Sequence, residues 1–195
     1  MLLTERTESL KKLRIVLDFF GPFCFFRELK IKKMNESEKI WQLLEDVCDP
    51  EVPVLSVLDL GVVRNVEVND DRVTITITPT YSGCPAMSTI SMDIRLKLLG
   101  EGYKNIQINT VLTPAWTTDW MSEAGKQKLE TYGIAPPVQP LNSMNELFAK
   151  DVLVKCPLCK SENTLLISQF GSTACKALYQ CQDCKEPFDY FKCLK

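Results

Sequence analysis

KCPLCKSENTLLISQFGSTACKALYQCQDCKEPFDYF, residues 155–191, contains Cys156-Pro-Leu-Cys159 and Cys181-Gln-Asp-Cys184, two C-x-x-C pairs with 21 residues between them. Each pair can bend into a knuckle that presents two sulfurs from one turn, and two knuckles complete a tetrahedral sulfur site with no position left open. Such a closed site is structural, because a catalytic zinc keeps one position for water. The spacing therefore predicts a small zinc ribbon over residues 151–195, with one Zn2+ held by Cys156, Cys159, Cys181 and Cys184. Ile167, Phe170, Leu178 and Tyr179 suit hairpin strands between the knuckles. Metal binding supplies on the order of 10 kcal/mol in modules of this kind, more than so short a segment gains from its apolar residues. Iron in the same cage would make a rubredoxin-like electron carrier, and a redox dithiol fits two pairs this far apart poorly. Cys175 and Cys193 are left over. They read either as small packing residues or as extra ligands for a second metal or an iron–sulfur cluster.

Working back along the chain, residues 134–150 hold three prolines and little periodicity, which predicts a linker over 138–150. A second domain then occupies residues 34–137. Asn35 with Glu38 makes a capping-box start for a helix carrying Ile40, Leu43, Leu44 and Val47, ended by Asp49-Pro50. Two strands follow at Val62–Asn69 and Arg72–Pro79, the second with Val73, Ile75 and Ile77 on one face. A helix begins at Pro85 with Met87, Ile90, Ile94 and Leu98 on one side and stops at Gly100 and Gly102. Ile106, Ile108, Thr110 and Leu112 alternate in a third strand, and Trp116 to Tyr132 reads as a last helix before Gly133. Helix, two strands, helix, strand, helix predicts an α+β fold, a small two-layer helix/sheet domain followed by the four-cysteine zinc ribbon.

The 195-residue chain has no histidine, which removes Ser-His-Asp and Cys-His catalysis and His-ligated iron. Its net charge of −2 gives no general field for nucleic acid. Nine cysteines without a convincing export signal, and no stretch of transmembrane length, predict a reducing cytoplasm. Residues 1–33 differ from the rest, with eight basic and four acidic side chains and five phenylalanines around Gly21-Pro22. They read as an extension upstream of a natural start at Met34, the rival being an arm that docks on a membrane surface or partner.

Thr80-Tyr81-Ser82-Gly83-Cys84-Pro85 joins a strand to a helix, with Pro85 suited to the first helical position and Cys84 to the N-cap. There the unpaired N–H groups and the helix dipole favour a thiolate, a suitable transient ligand for a soft or borderline metal. Gly83 would allow close backbone approach, and the opposing reading is an inert cysteine in a tight turn. Asp49, Glu51 and Asp59 could add hard ligands at the same edge, although capping and solvation explain them equally well. Tyr81, Trp116 and Trp120 read as core or interface residues.

Asp49-Pro-Glu-Val-Pro53, Asp59-Leu-Gly61 and Thr78-Pro-Thr-Tyr-Ser-Gly-Cys-Pro85 resemble the domain of SufT-like iron–sulfur assembly factors. Leu112-Thr-Pro-Ala-Trp-Thr-Thr-Asp-Trp-Met-Ser122, Tyr132-Gly-Ile-Ala-Pro-Pro137, Phe170-Gly-Ser-Thr-Ala-Cys-Lys-Ala-Leu-Tyr179 and Glu186-Pro-Phe-Asp-Tyr-Phe-Lys192 are more restrictive. With the cysteine pairs they resemble the PaaD (or PaaJ) family, accessory components of bacterial phenylacetyl-CoA epoxidases. The resemblance covers residue 35 to the end. It implies a non-catalytic maturation role in aerobic phenylacetate breakdown. The partners it implies are the oxygenase and reductase components of the epoxidase, with the iron–sulfur assembly machinery or a second copy of the chain as further ones. Carried over residue by residue, it makes Cys84 the functional thiol for a transient iron ion or iron–sulfur cluster, with Asp49 and Glu51 as companions. Three rivals remain: a structural subunit of the oxygenase complex, a general iron–sulfur cluster carrier, and a thiol redox enzyme using Cys84 with Cys175 or Cys193.

Overall fold

The Asn35 side chain accepts the Glu38 N–H at 2.9 Å and the Asn35 N–H reaches the Glu38 carboxylate at 3.0 Å, the reciprocal cap that starts α1 (Glu36–Leu44). The structure, a computed structural model, describes residues 35–138 and 153–192. The segment 1–33, nearly all of the expected linker 138–150, and Cys193 lie outside the described residues. Helix α1 buries Ile40 and Leu44 but stops well short of the predicted Asp49-Pro50. The N–H groups of Glu45, Asp46 and Val47 bond back by three residues rather than four, at 3.2, 3.3 and 3.2 Å. The chain then folds onto itself, with Asp49 N–H to Leu55 O at 2.9 Å and Val57 N–H to Val47 O at 2.8 Å. Burying Val52, Leu55 and Val57 in this loop outweighs one more turn of helix.

β1 (Val63–Asn69) and β2 (Arg72–Ile77) form an antiparallel hairpin turned by Asp70 at φ 53°. α2 (Ala86–Gly100) crosses over to β3 (Asn105–Thr110), which pairs parallel to β2, so the sheet order is β1-β2-β3. Val73, Ile75 and Ile77 alternate into the core, where Ile90, Ile94 and Leu98 of α2 also lie. The predicted last helix is broken. Thr118–Trp120 is a short 3-10 turn, Met121 and Ser122 are extended, and α3 spans Glu123–Tyr132. Ser122 makes the break, since its hydroxyl accepts the Gly125 N–H at 2.8 Å and so caps a new helix. Gly133, at φ 92°, ends it.

The C-terminal sheet is β4 (Thr164–Ser168), β5 (Lys176–Cys181) and β6 (Pro187–Phe191), all antiparallel. Leu178 and Tyr179 lie in β5 as predicted, whereas Phe170 falls beyond β4 and is exposed. The architecture is therefore α+β with a C-terminal β-ribbon. The two parts share side chains. Cys175 and Phe191 belong to the first core, while Ala135, which follows α3, belongs to the ribbon's. Ala135 pairs with β6 through its N–H to Asp189 O at 2.8 Å and its carbonyl from Phe191 N–H at 3.0 Å. The Trp116 and Phe191 rings meet edge to face at 6.3 Å.

Candidate functional site

Both knuckles are closed by the same local device. Cys156 N–H reaches Ser161 O at 2.8 Å and Cys181 N–H reaches Glu186 O at 3.0 Å, each bond spanning a C-x-x-C turn. The residue after each pair, Lys160 at φ 65° and Lys185 at φ 66°, takes the left-handed conformation that closes the turn. This costs a non-glycine residue about 1 kcal/mol or more. The four sulfurs lie within 4.8 Å of one another, with Cys156 to Cys184 at 3.8 Å and Cys159 to Cys181 at 3.5 Å. None is in a disulfide. A tetrahedral zinc with bonds near 2.3 Å has sulfur–sulfur edges of about 3.8 Å, so the quartet fits zinc in both donor type and spacing. The N–H of Cys184, with that of Asp183 behind it, holds the Cys181 thiol down to about 6 despite partial desolvation. Asp183 ties the knuckles together through Ser161 and through Asn163, whose amide it accepts at 2.8 Å. No spacing rule had singled that carboxylate out.

Cys84 is half-buried in the turn between β2 and α2, and its N–H bonds Tyr81 O at 3.2 Å. The helix begins one residue later than predicted, with Pro85 as the cap residue at φ −69°, ψ −25° and Ala86 first. The Cys84 carbonyl still receives the Met87 N–H at 3.3 Å, so the thiol stands at the mouth of the first turn. Gly83 is required for its φ of 84° and not for close approach, because a Cβ there would meet nothing within 4 Å. The Tyr81 hydroxyl is pushed up to about 12, first by burial, then by the charge of Cys84 and a hydrogen bond with it, and further by Glu51 and Cys175. One phenol thus senses three of the groups singled out from the sequence.

Those groups differ in what holds them. Asp49 is buried and its Oδ1 accepts the N–H groups of Glu51 at 2.8 Å and Val52 at 2.7 Å. Burial raises its pKa against those two hydrogen bonds. Glu51 is half-buried; its carbonyl accepts Lys176 Nζ at 3.2 Å, and its Oε2 lies 3.5 Å from Cys175 Sγ. Cys175 is apart from the zinc quartet. Thr173 Oγ1 is 3.0 Å from its sulfur, and burial chiefly pushes the thiol up to about 11. Asp59 faces α3 instead, bonding Ser122 Oγ at 2.8 Å and Lys128 Nζ at 2.5 Å. Among the described residues the quartet is the one group of three or more cysteine or carboxylate ligand atoms lying within 4.8 Å of one another. Trp116 is buried with its indole N–H on Leu60 O at 2.9 Å, and Arg64 stacks 3.5 Å over Trp120, so both tryptophans are packing residues as read.

Residues 141–192 match the family described as PaaD zinc beta ribbon domain, and residues 37–109 match that described as Iron-sulfur cluster assembly protein. The chain is 49% identical over 156 residues, 80% of its length and 92% of the other's, to a protein of Escherichia coli provisionally named as the D component of 1,2-phenylacetyl-CoA epoxidase. It is 40% identical over 98 residues, 49% of its length and 92% of the other's, to an Fe-S protein maturation auxiliary factor of Porphyromonas gingivalis. A domain of unknown function, DUF59, from Bacillus anthracis is similar at 31% identity and a TM-score of 0.46, covering 48% of this chain and 90% of that one. No helix among the described residues is long and apolar enough to cross a membrane.

Proposed function

The chain belongs to the PaaD family, and on that footing we propose that it is a non-catalytic maturation factor of phenylacetyl-CoA epoxidase that passes iron, as an ion or as an iron–sulfur cluster, through Cys84. The observation that carries this reading is the position of Cys84 on a partly open strand–helix turn, beside Tyr81, in the part of the chain that matches iron–sulfur assembly proteins. Cys156, Cys159, Cys181 and Cys184 would hold the resident zinc, which supplies folding free energy to the ribbon. The knuckles then keep β5 and β6 in place, and with them Cys175, Phe191 and the strand partner of Ala135. Cys84 binds the cargo as a thiolate, releasing its proton to water. Tyr81 keeps its own proton at neutral pH and can donate to the Cys84 sulfur, orienting it. Glu51 offers a carboxylate at the same edge. The client is the epoxidase's oxygenase or reductase component, met in a reducing cytoplasm where these thiols stay free.

The test is to produce the epoxidase with and without this chain and quantify its iron. Without the chain, iron content and activity fall, and adding the purified protein restores both. Cys84→Ser restores neither, although it retains zinc and the fold. Full iron content without the chain, or rescue by Cys84→Ser, would refute the reading. Stoichiometric co-purification with an epoxidase that is already fully loaded would favour a structural subunit instead.

A further inference from the structure

We propose that the outer edge of β4, with the exposed side chains of Leu165, Ile167 and Phe170, is where the ribbon holds the epoxidase component that receives the iron, by pairing with an extended apolar segment of it. The partner's identity rests on the function proposed above, and the surface rests on the ribbon's own structure. β4 has β5 on one side and, among the described residues, no strand on the other. Its sequence, Thr-Leu-Leu-Ile-Ser, holds no charge. Leu166 turns into the ribbon core opposite Tyr179, while Leu165 and Ile167 on either side of it are 53% and 52% exposed. Phe170, just beyond the strand, is 60% exposed, with Lys192 Nζ 4.4 Å from the centre of its ring.

Edge strands recruit other strands through their unpaired N–H and C=O groups, and proteins guard them with lysine, proline, bulges, short length or a covering element. β4 has a register shift between Leu166 and Ser168 and a length of five residues, but neither charge nor proline. An extended segment laid along it would satisfy those backbone groups and set its alternate apolar side chains on Leu165 and Ile167. A second copy of the chain fits less well. Three side chains exposed by about half present a few hundred Å2, against about 800 Å2 per partner in a stable interface. That area suits a partner that is held, served and released. The division of the chain points the same way. Cys84 lies in the part matched to iron–sulfur assembly proteins, residues 37–109, and β4 in the part matched to PaaD zinc ribbons, residues 141–192. In the Porphyromonas gingivalis maturation factor, 98 matched residues make up 92% of the protein. That length has room for the first domain and not for a ribbon as well. What the ribbon adds here is a means of choosing the client.

The full zinc-loaded chain is titrated against the purified oxygenase and reductase components separately, read by biolayer interferometry, with iron delivery assayed in parallel. One component should bind the wild-type chain. Leu165→Lys combined with Ile167→Lys should weaken that binding at least about tenfold, and Phe170→Ala several-fold. Zinc content and the melting midpoint should stay unchanged, since all three side chains stand in solvent. Hydrogen exchange on the wild type gives a reading free of substitutions: the outward amides of β4 should exchange quickly in the free chain and slow down once the component is bound. Binding of neither component, undiminished affinity in both variants, or no slowing at β4 overturns the inference. So do outward amides already protected in the free chain, which then covers its own edge, and a dimer in sedimentation that the double variant dissolves. Cys84→Ser separates the two readings, because it should bind the component as tightly as wild type while delivering no iron. Delivery by Cys84→Ser defeats the earlier reading alone, and full affinity in the β4 variants defeats the docking surface alone.

Discussion

A Cβ built on Gly61 would sit 2.2 Å from the Trp120 carbonyl oxygen and 2.8 Å from its carbonyl carbon, at a φ of 66° that L-residues avoid. Gly83 has a comparable φ of 84° with nothing within 4 Å. Gly83→Ala should therefore cost about 1 kcal/mol of stability from conformation alone. Gly61→Ala adds a backbone collision and should cost about 3 kcal/mol or more, since such losses come from a short set of severe mechanisms. Urea unfolding of the two variants checks this, and equal losses would mean that the Trp120 segment yields easily. The sequence showed Gly61 only as part of Asp59-Leu-Gly61 and assigned close approach to Gly83. The contact that distinguishes them is made by a residue far along the chain, where no local rule looks. Cys84 was legible because a thiol beside proline at a strand–helix junction is a local pattern. The place of Cys175 in the first core was not, because it comes from tertiary packing of the ribbon on the first domain.

At the level of elements, β1, β2 and α2 follow from alternation and from the i, i+4 stripe of Ile90, Ile94 and Leu98. The misread boundaries lie where side chains outcompete periodicity for the backbone. Ser122 is the clearest case. It caps α3, donates its own N–H to Asp59 O at 2.9 Å, and donates its hydroxyl to Asp59 Oδ1. Asp59 thus acts as a clamp on the start of α3, strengthened by Lys128. Burial opposes ionisation of Asp59, but the hydrogen bonds from Lys128, Ser122 and Ser56 outweigh it and lower the pKa below 3.8. A carboxylate with a lowered folded-state pKa contributes stability that is fully present above the unfolded value and fades as pH falls through the folded one. Asp59→Asn should therefore cost about 1–3 kcal/mol at neutral pH, towards the lower end because Lys128 is half exposed to solvent. The gap to wild type should close once the pH drops below 3.8, the ordinary aspartate value. Urea titrations at neutral and acid pH measure both, and a gap that is independent of pH would show that the charge contributes nothing.

For the whole molecule, the consequence of the shared side chains is that the zinc quartet should stabilise more than the ribbon. The C-x-x-C spacing announced the metal module, but β6 and its pairing with Ala135 were not legible, because that strand is held by a segment from the other domain. Phe191 is 2% exposed and fills the first core against Trp116, although β6 depends on the second knuckle for its position. Stripping zinc with a chelator, or preventing its binding with Cys181→Ser, should unfold the ribbon and withdraw Phe191 from that core. The first domain should then lose about 3–5 kcal/mol, the range for removing a buried phenylalanine side chain. Phe191→Ala in the zinc-loaded protein should produce the same loss in the first domain while zinc content stays unchanged. Following Trp116 fluorescence through urea unfolding, with zinc measured in parallel, separates the two routes. If chelation leaves the first domain's midpoint where it was while Phe191→Ala lowers it, β6 keeps its seat without the metal. The knuckles would then staple only their own turns.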